Sequence, residues 1–330
     1  METFAARPSR RAVLALGAGT ALTLGAGTAL AAAVSAGGPA HAAGEPAHPV
    51  DGPTHAAGGA PPGGDAPARA LARLEAEHGA RLGVFARNTV TGRTVVHRAN
   101  ELFPVCSVHK TFTAAAVLRD LDRDGGFLAR RIRYTGKDVA DAGHAPVTGT
   151  PEHLANGMTV AELCAAAIGH SDNAADNLLL RELGGPTAIT RFCRSIGDDV
   201  TRLDRWEPAL NSAEPERTTD TTSPAAVGRS HLELVLGDAL APRDRRQLTA
   251  WLLANTTGAA RLRAGLPPGW TLADKTGTGA HGTTNDVGIA WAPDGTPVVL
   301  AVLSTKQDAG AAADEPLVAG AAAVLAAALV

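Results

Sequence analysis

The chain has 330 residues, 45% of them hydrophobic, and 30 basic side chains against 33 acidic ones give a formal net charge of −3. A chain of this length and composition buries a sizeable core without disulfide or metal staples, and disorder along its whole length is excluded. With 3% aromatic residues and no basic field, it lacks the stacking platform and the electrostatic footprint that nucleic-acid binding needs.

In chain order, the opening METFAARPSRR is basic and is followed by an Ala/Leu/Gly stretch over residues 12–36 and then by Pro39-Ala40-His41-Ala42. This is the pattern of a secretory signal over 1–42, with an A-x-A cleavage site after Ala42. Arg10-Arg11, directly after Ser9 and ahead of a weakly apolar, Gly-interrupted segment, gives it the form of a twin-arginine export signal. An uncleaved anchor is the alternative, because the uncharged stretch is long enough to span a bilayer. The glycines and the small-residue site favour cleavage, and a lipoprotein anchor lacks its cysteine, since the first is Cys106. The mature protein is therefore expected outside the cell with no stable membrane association. Residues 43–67 are Pro, Gly, Ala and His without hydrophobic period and read as a flexible linker. His48 and His55 there lack metal-ligand spacing.

The folded unit is expected over 68–330. Residues 67–78 carry Leu71 and Leu74 at helical spacing and stop at Gly79, a helix-ending residue. Two β-like runs, 81–88 and 94–98, are joined through Thr91-Gly92. The middle is helical: a helix runs from Ser107 to about Leu121, Thr159-Val160-Ala161-Glu162 is a capping box, Ser223-Pro224 supplies an N-cap with proline at the first helical position, and 242–255 carries Leu248, Trp251 and Leu252 on one face. Strands return from Thr271, with 286–292 and 297–304 flanking Asp294-Gly295, and 314–330 closes the chain as a helix. The expected architecture is α+β, with an α/β part from about 68–106 and 260–330 and a helical lobe of about 107–259 inserted between strands of one antiparallel sheet. Cys106, Cys164 and Cys193 are an odd number, so at least one stays unpaired.

Four motifs carry candidate chemistry. In Ser107-Val108-His109-Lys110 the hydroxyl and the amine share a helix face at i and i+3, beside free N–H groups that suit a developing oxyanion. Ser171-Asp172-Asn173 stands at the start of the next helix, where capping is the plain explanation. Lys275-Thr276-Gly277, continued by Thr278-Gly279, ends a strand where glycine lets a substrate lie against the edge and the lysine and hydroxyls can clamp a carboxylate. Trp206-Glu207-Pro208-Ala209-Leu210-Asn211 lies in a polar loop bounded by Arg205 and Asp220, and its carboxylate and amide, four residues apart, can hold one water between them.

Each motif alone is weak, but their order, Ser-x-x-Lys, Ser-Asp-Asn, Glu-x-x-Leu-Asn, Lys-Thr-Gly, resembles the class A serine β-lactamases. The resemblance covers about 67–330 and is strongest to actinomycete members, in SDNAADNLLLRELGG and ANTTGAARLRAG. It implies a five-stranded antiparallel sheet flanked by terminal helices, a small-molecule β-lactam substrate, a monomer, and neither cofactor nor metal. It also implies roles. Ser107 is the nucleophile, Lys110 its proton-network partner, Ser171 the relay to the leaving nitrogen, and Glu207 the base for the deacylating water, which Asn211 also holds. The backbone N–H groups of Ser107 and Thr278 form the oxyanion hole. Asn173 binds the substrate's side-chain amide, while Lys275, Thr276, Gly277, Thr278 and Arg261 bind around its carboxylate. Arg205 and Asp220 are expected to pin the Glu207 loop.

Two positions depart from the family pattern: His109 stands where an aromatic, most often Phe, is usual, and His144 where the cleft mouth usually has Tyr or Trp. Two positions along the helix from Ser107, His109 is rotated about 200° away from the nucleophile and reads as a buried structural residue, with a pH-sensitive role as the alternative. Cys106 reads as core packing, since Gly279 offers it no partner across the cleft. A penicillin-binding D,D-peptidase and a non-hydrolysing β-lactam sensor are the alternatives. The peptidase needs no water-activating glutamate, and the sensor is normally joined to a membrane signalling segment.

Overall fold

The structure, a computed structural model, describes residues 65–330. The signal over 1–42, its Arg10-Arg11 pair, the cleavage site and the linker as far as residue 64 lie outside the described residues. The first helix, Asp65–Glu77, starts two residues ahead of its expected beginning and takes in the last positions assigned to the linker. Gly79, in the left-handed region at φ +56°, turns the chain into the first strand.

Five antiparallel strands form the main sheet, in the spatial order Thr94–His97, Arg81–Asn88, Pro297–Thr305, Thr284–Trp291, Thr271–Thr278. The register pairs Arg81 with Thr305 and Lys275 with Val287. Strand Pro297–Thr305 is central and apolar almost throughout because both its faces are covered. Val298, Leu300 and Val302 join Leu82 and Val84 against Leu71, Leu317 and Leu325 of the two terminal helices. The alternating residues Val299, Ala301 and Leu303 join Phe85 and Ile289 against the helical body. Each such side chain contributes roughly 1.5–3 kcal/mol relative to exposure. Together they make the sheet the rigid element on which the Lys-Thr-Gly edge strand is mounted.

The capping signals locate the helices of the middle. Thr159 and Glu162 form a reciprocal capping box on Val160–Gly169, Asp172 caps Asn173–Leu183, and Ser223 caps Pro224–Val235 with Pro224 at its start. The last of these was expected in the inserted lobe but packs on the sheet, so closely at Gly228 that an added Cβ would lie 2.6 Å from the Phe85 ring. The helix expected from Ser107 to about Leu121 is three pieces in sequence: a 3-10 turn Cys106–His109, an α-helix Lys110–Ala116 and a π-helical turn Val117–Leu121. All three cysteines are unpaired and buried. Burial, reinforced by the charges of Glu207 and Asp220, pushes the Cys106 thiol far above its ordinary value, so it packs and does not react. Among the described residues no helix is long and apolar enough to cross a membrane.

Candidate active site

The site is assembled where the 3-10 turn, the start of helix Asn173–Leu183, the edge strand and the 205–220 loop converge. Cys106, immediately before Ser107, is held at φ +45°, a backbone conformation that costs of order 1–3 kcal/mol for a residue with a Cβ. Close packing across the gap explains how it persists. A Cβ on Gly277 would lie 3.1 Å from Val108 Cγ2 and 3.2 Å from both Cys106 Cβ and the Val105 carbonyl oxygen, tighter than ordinary contact, so glycine here favours the close approach of the strand to the nucleophile turn. Ser107 and Thr278 are thereby brought to the two sides of one narrow gap.

Lys110 is fully buried and its ammonium is surrounded by acceptors. It donates to the Ser171 carbonyl at 2.8 Å and Asn173 Oδ1 at 2.7 Å, and lies 3.0 Å from Glu207 Oε1. The same carboxylate oxygen accepts from Ser107 Oγ at 3.4 Å. Ser171, at φ +54°, points its hydroxyl between two amines, 3.1 Å from Lys275 Nζ and 3.4 Å from Lys110 Nζ. Ser107 and Lys110 thus share one carboxylate oxygen and the Ser171 hydroxyl stands between the two lysines, which is the arrangement a proton relay requires. The Ser-Asp-Asn triplet is a cap as well. Asp172 accepts from Ala175 N and also binds the 147–148 backbone and the Thr148 hydroxyl, so capping and catalytic placement are the same structural act.

Glu207 is 3% exposed and is held at every polar atom of its backbone and side chain. Asn177 bonds both its N–H and its carbonyl, at 3.1 and 2.9 Å, and the Asn211 amide donates to Oε2. The peptide to Pro208 is cis. Asn211 Oδ1 is buried and has no partner among the described residues. The loop ends meet in an ion pair, Arg205 Nε to Asp220 Oδ2 at 2.6 Å.

On the other wall, Arg261 is 5% exposed and is not the solvated charge its surroundings in sequence would allow. It donates to the carbonyls of Gly277 and Asn285, each at 2.9 Å, and to the Thr278 hydroxyl at 2.7 Å. Thr276 Oγ1 is shared with Thr257 Oγ1. Lys275 is fully buried, and its pKa is pushed down to about 7, first by burial and then by the nearby Lys110 charge. A cleft of about 310 Å³ opens over Ser107, Ser171, Asn173, Asn211, Arg261 and Thr278, with His144 at its mouth. A larger hollow of about 490 Å³ between Arg81 and Arg217 is lined by Glu101, Glu214, Glu216 and Lys306 but by none of the four motifs.

Two features escaped sequence reasoning. Asn177 gave no signal beyond an asparagine inside a helix. Asp176 is fully buried and pairs with His109, Nε2 to Oδ2 at 2.8 Å. His109, Asp176 and Glu207 place one nitrogen and two carboxylates within 4.8 Å of one another. Their charges are already matched internally, His109 by Asp176 and Glu207 by Lys110, so the grouping is accounted for as two crossed ion pairs.

Comparison with known proteins extends the geometry. The model of the beta-lactamase enzyme family matches residues 66–329. A beta-lactamase of Streptomyces lavendulae is 60% identical over 329 residues, all of both chains. The carbapenem-hydrolyzing beta-lactamase KPC of Klebsiella oxytoca is 48% identical over 77% of this chain and 86% of its own. Among solved structures, the beta-lactamase from Streptomyces albus G has a TM-score of 0.79 and 64% identity, covering 80% of this chain and 99% of its own.

Proposed function

Because the chain belongs to the beta-lactamase enzyme family and is a class A β-lactamase, we propose that it opens the β-lactam amide through a seryl ester on Ser107, which water activated by Glu207 then clears. The observation that carries this is a buried Glu207 carboxylate held by Lys110 and the Asn211 amide within reach of Ser107, together with a buried Asn211 Oδ1 that has no partner among the described residues. Such a pair orients the two hydrogens of one water and takes one of them. In the first half of the cycle Ser107 Oγ attacks the ring carbonyl, its proton passing into the Lys110–Glu207 pair, while the Ser107 and Thr278 N–H groups receive the oxyanion. Ser171, between Lys110 and Lys275, delivers a proton to the departing nitrogen. In the second half the water attacks the ester and Ser107 is regenerated. The D,D-peptidase and sensor readings leave the Glu207–Asn211 pair without a task.

Anchoring of the substrate carboxylate falls to Lys275, Thr276, Thr278 and Arg261, and Asn173, whose Oδ1 accepts from Lys110 and whose Nδ2 donates to the Ala142 carbonyl at 3.0 Å, has its second amide hydrogen for the substrate. This assignment gives a pH dependence. Lys275 is a base with its pKa lowered to about 7, so its ammonium is lost as pH rises through that value. The affinity for an anionic substrate falls with it. Kcat/KM is expected to decline on the alkaline side from about pH 7, mainly through KM, and Lys275→Arg, which stays charged, is expected to move that limb up by more than two pH units. A limb that the arginine variant leaves in place assigns it to another group.

Hydrolysis destroys the acylating power of the drug, and it protects the cell best where the drug arrives. We place the enzyme outside the cytoplasm, exported by the twin-arginine route with a mature N-terminus at Ala43. Replacing Arg10 and Arg11 together by Lys is expected to trap full-length precursor in the cytoplasm. Normal secretion of that variant, or a secreted mass that retains the 1–42 segment, overturns the export proposal without touching the catalytic one.

A further inference from the structure

His109 is fully buried, and each of its ring nitrogens meets an acceptor. Nε2 lies 2.8 Å from the Asp176 carboxylate and Nδ1 lies 2.7 Å from the Cys106 carbonyl oxygen. A neutral imidazole has one N–H and one lone pair, so only the imidazolium satisfies both contacts. Burial alone favours the neutral ring, but the Asp176 charge and its hydrogen bond outweigh it, and the His109 pKa is raised. Asp176 is correspondingly lowered: burial raises it, and the His109 charge overrides that effect. The charged groups facing the ring are Asp176 from helix Asn173–Leu183, Glu207 from the 205–220 loop and Lys110 from its own helix. Two of these three are anionic.

The Cys106 carbonyl is one end of the peptide unit whose other end is the Ser107 N–H. In a planar trans peptide the two point in opposite directions, so a donor fixed behind the carbonyl fixes the aim of the N–H in front. A charged donor also draws electron density toward the oxygen and strengthens the N–H as a hydrogen-bond donor. The peptide that needs this support follows the strained Cys106, at φ +45°.

We propose that His109, held as an imidazolium by Asp176, is a positioning residue for the oxyanion hole, orienting and polarising the Cys106–Ser107 peptide whose N–H receives the developing charge. Catalysis at Ser107 is thus backed by a buried Asp–His pair acting through a peptide bond and never touching the substrate. The inference rests on the seryl-ester reading above, and the test separates the two.

His109→Phe alone strands a buried carboxylate, so the informative variants are His109→Phe with Asp176→Ala, which removes both charges, and the isosteric Asp176→Asn, which leaves a neutral ring on the carbonyl. Each is made in the wild type for kinetics and in Glu207→Ala for spectroscopy of the accumulated ester. The acylation rate constant with a penicillin is expected to fall about 10-fold in the double variant, less than loss of a whole oxyanion donor, with the substrate dissociation constant unchanged. The infrared band of the ester carbonyl is expected to move to higher frequency, with Asp176→Asn in between. An unmoved band and an unmoved acylation rate in both variants overturn the proposal. The absence of any ester band in Glu207→Ala overturns the seryl-ester reading instead, and this proposal with it. Should the double variant not fold, Asp176→Asn and the unaltered enzyme still decide. Nitrogen-15 NMR of the unaltered enzyme is expected to show one protected histidine with both ring nitrogens protonated at pH 8, and a His109 with a single ring N–H there overturns the proposal.

Discussion

Glu207→Ala protein mixed with a penicillin is expected to gain the mass of one opened drug and keep it, whereas Ser107→Ala gains none and the unaltered enzyme turns over many equivalents. The argument is one of division of labour. Ser107 reaches Glu207 Oε1 at 3.4 Å, but Lys110, 3.0 Å from the same oxygen, retains two further acceptors in the Ser171 carbonyl and Asn173 Oδ1 when that carboxylate is removed. The amine therefore stays in place, and an ester is still expected to form. Clearing it is different, because the carboxylate bonded to Asn211 is gone and the water loses its base. General-base help is typically worth 10²- to 10⁴-fold, so an ester that lives for seconds or less in the unaltered enzyme persists for minutes to hours. Intact-protein mass after a manual quench reads this directly. If the unaltered enzyme itself stops after one equivalent, the sensor or peptidase alternative replaces hydrolysis, and if Ser107→Ala also acquires the adduct, the nucleophile is misassigned.

How much of this was legible in the sequence depends on the range over which each feature is determined. The strands were legible because burial on both faces writes a continuous apolar run at 297–305, and the turn at Asp294-Gly295 marks its register with 284–291. The helix starts were legible because an N-cap and its N3 partner are three residues apart, as at Thr159 and Glu162. The four motifs were legible only as an ordered set, since each alone has an ordinary structural explanation, and for Asp172 that explanation is also true. The contacts between distant segments were not. His109 is buried as its sequence position suggests, but the aspartate that it meets lies 67 positions on, and the second nitrogen returns to the carbonyl just ahead of Ser107. No helical period encodes that return. Asp176 and Asn177 carry no local signal, because what each faces is set by the packing of its helix against the nucleophile turn and the Glu207 loop. The division of 107–259 as a helical insert likewise missed that helix Pro224–Val235 belongs to the sheet's packing, since its small residues look the same in sequence whichever surface they lie against.

The second large effect is expected from Asp220→Ala. Asp220 is 1% exposed at φ +55° and bonds in four directions. Oδ1 accepts from the N–H groups of Asp204 and Arg205 at 2.8 and 2.9 Å, Oδ2 accepts from Arg205 Nε at 2.6 Å, its own N–H donates to Asp204 Oδ2 at 3.0 Å, and its carbonyl accepts from Val105 N at 2.9 Å. The last bond joins the end of the loop to the segment that leads into Cys106 and Ser107. Truncation to alanine removes the three side-chain bonds and leaves Arg205, already committed on its other arm to Ser212, without its buried partner. Breaking one side of such a pair costs about 3–5 kcal/mol, borne first by the loop that positions Glu207. A displacement of the base of about 1 Å is enough to cost roughly 10²-fold in rate. Hydrolysis of a good substrate is therefore expected to become limited by deacylation, with the ester detectable at steady state, and the amides of residues 205–220 are expected to lose hydrogen-exchange protection while those of strand Pro297–Thr305 keep theirs. Asp220→Asn, which retains acceptors for the two backbone N–H groups but not the charge, is expected to fall between. Unchanged turnover together with unchanged loop protection in Asp220→Ala would mean that Glu207 is positioned by Asn177 and Lys110 alone, and that the Arg205–Asp220 pair closes the loop without governing the base.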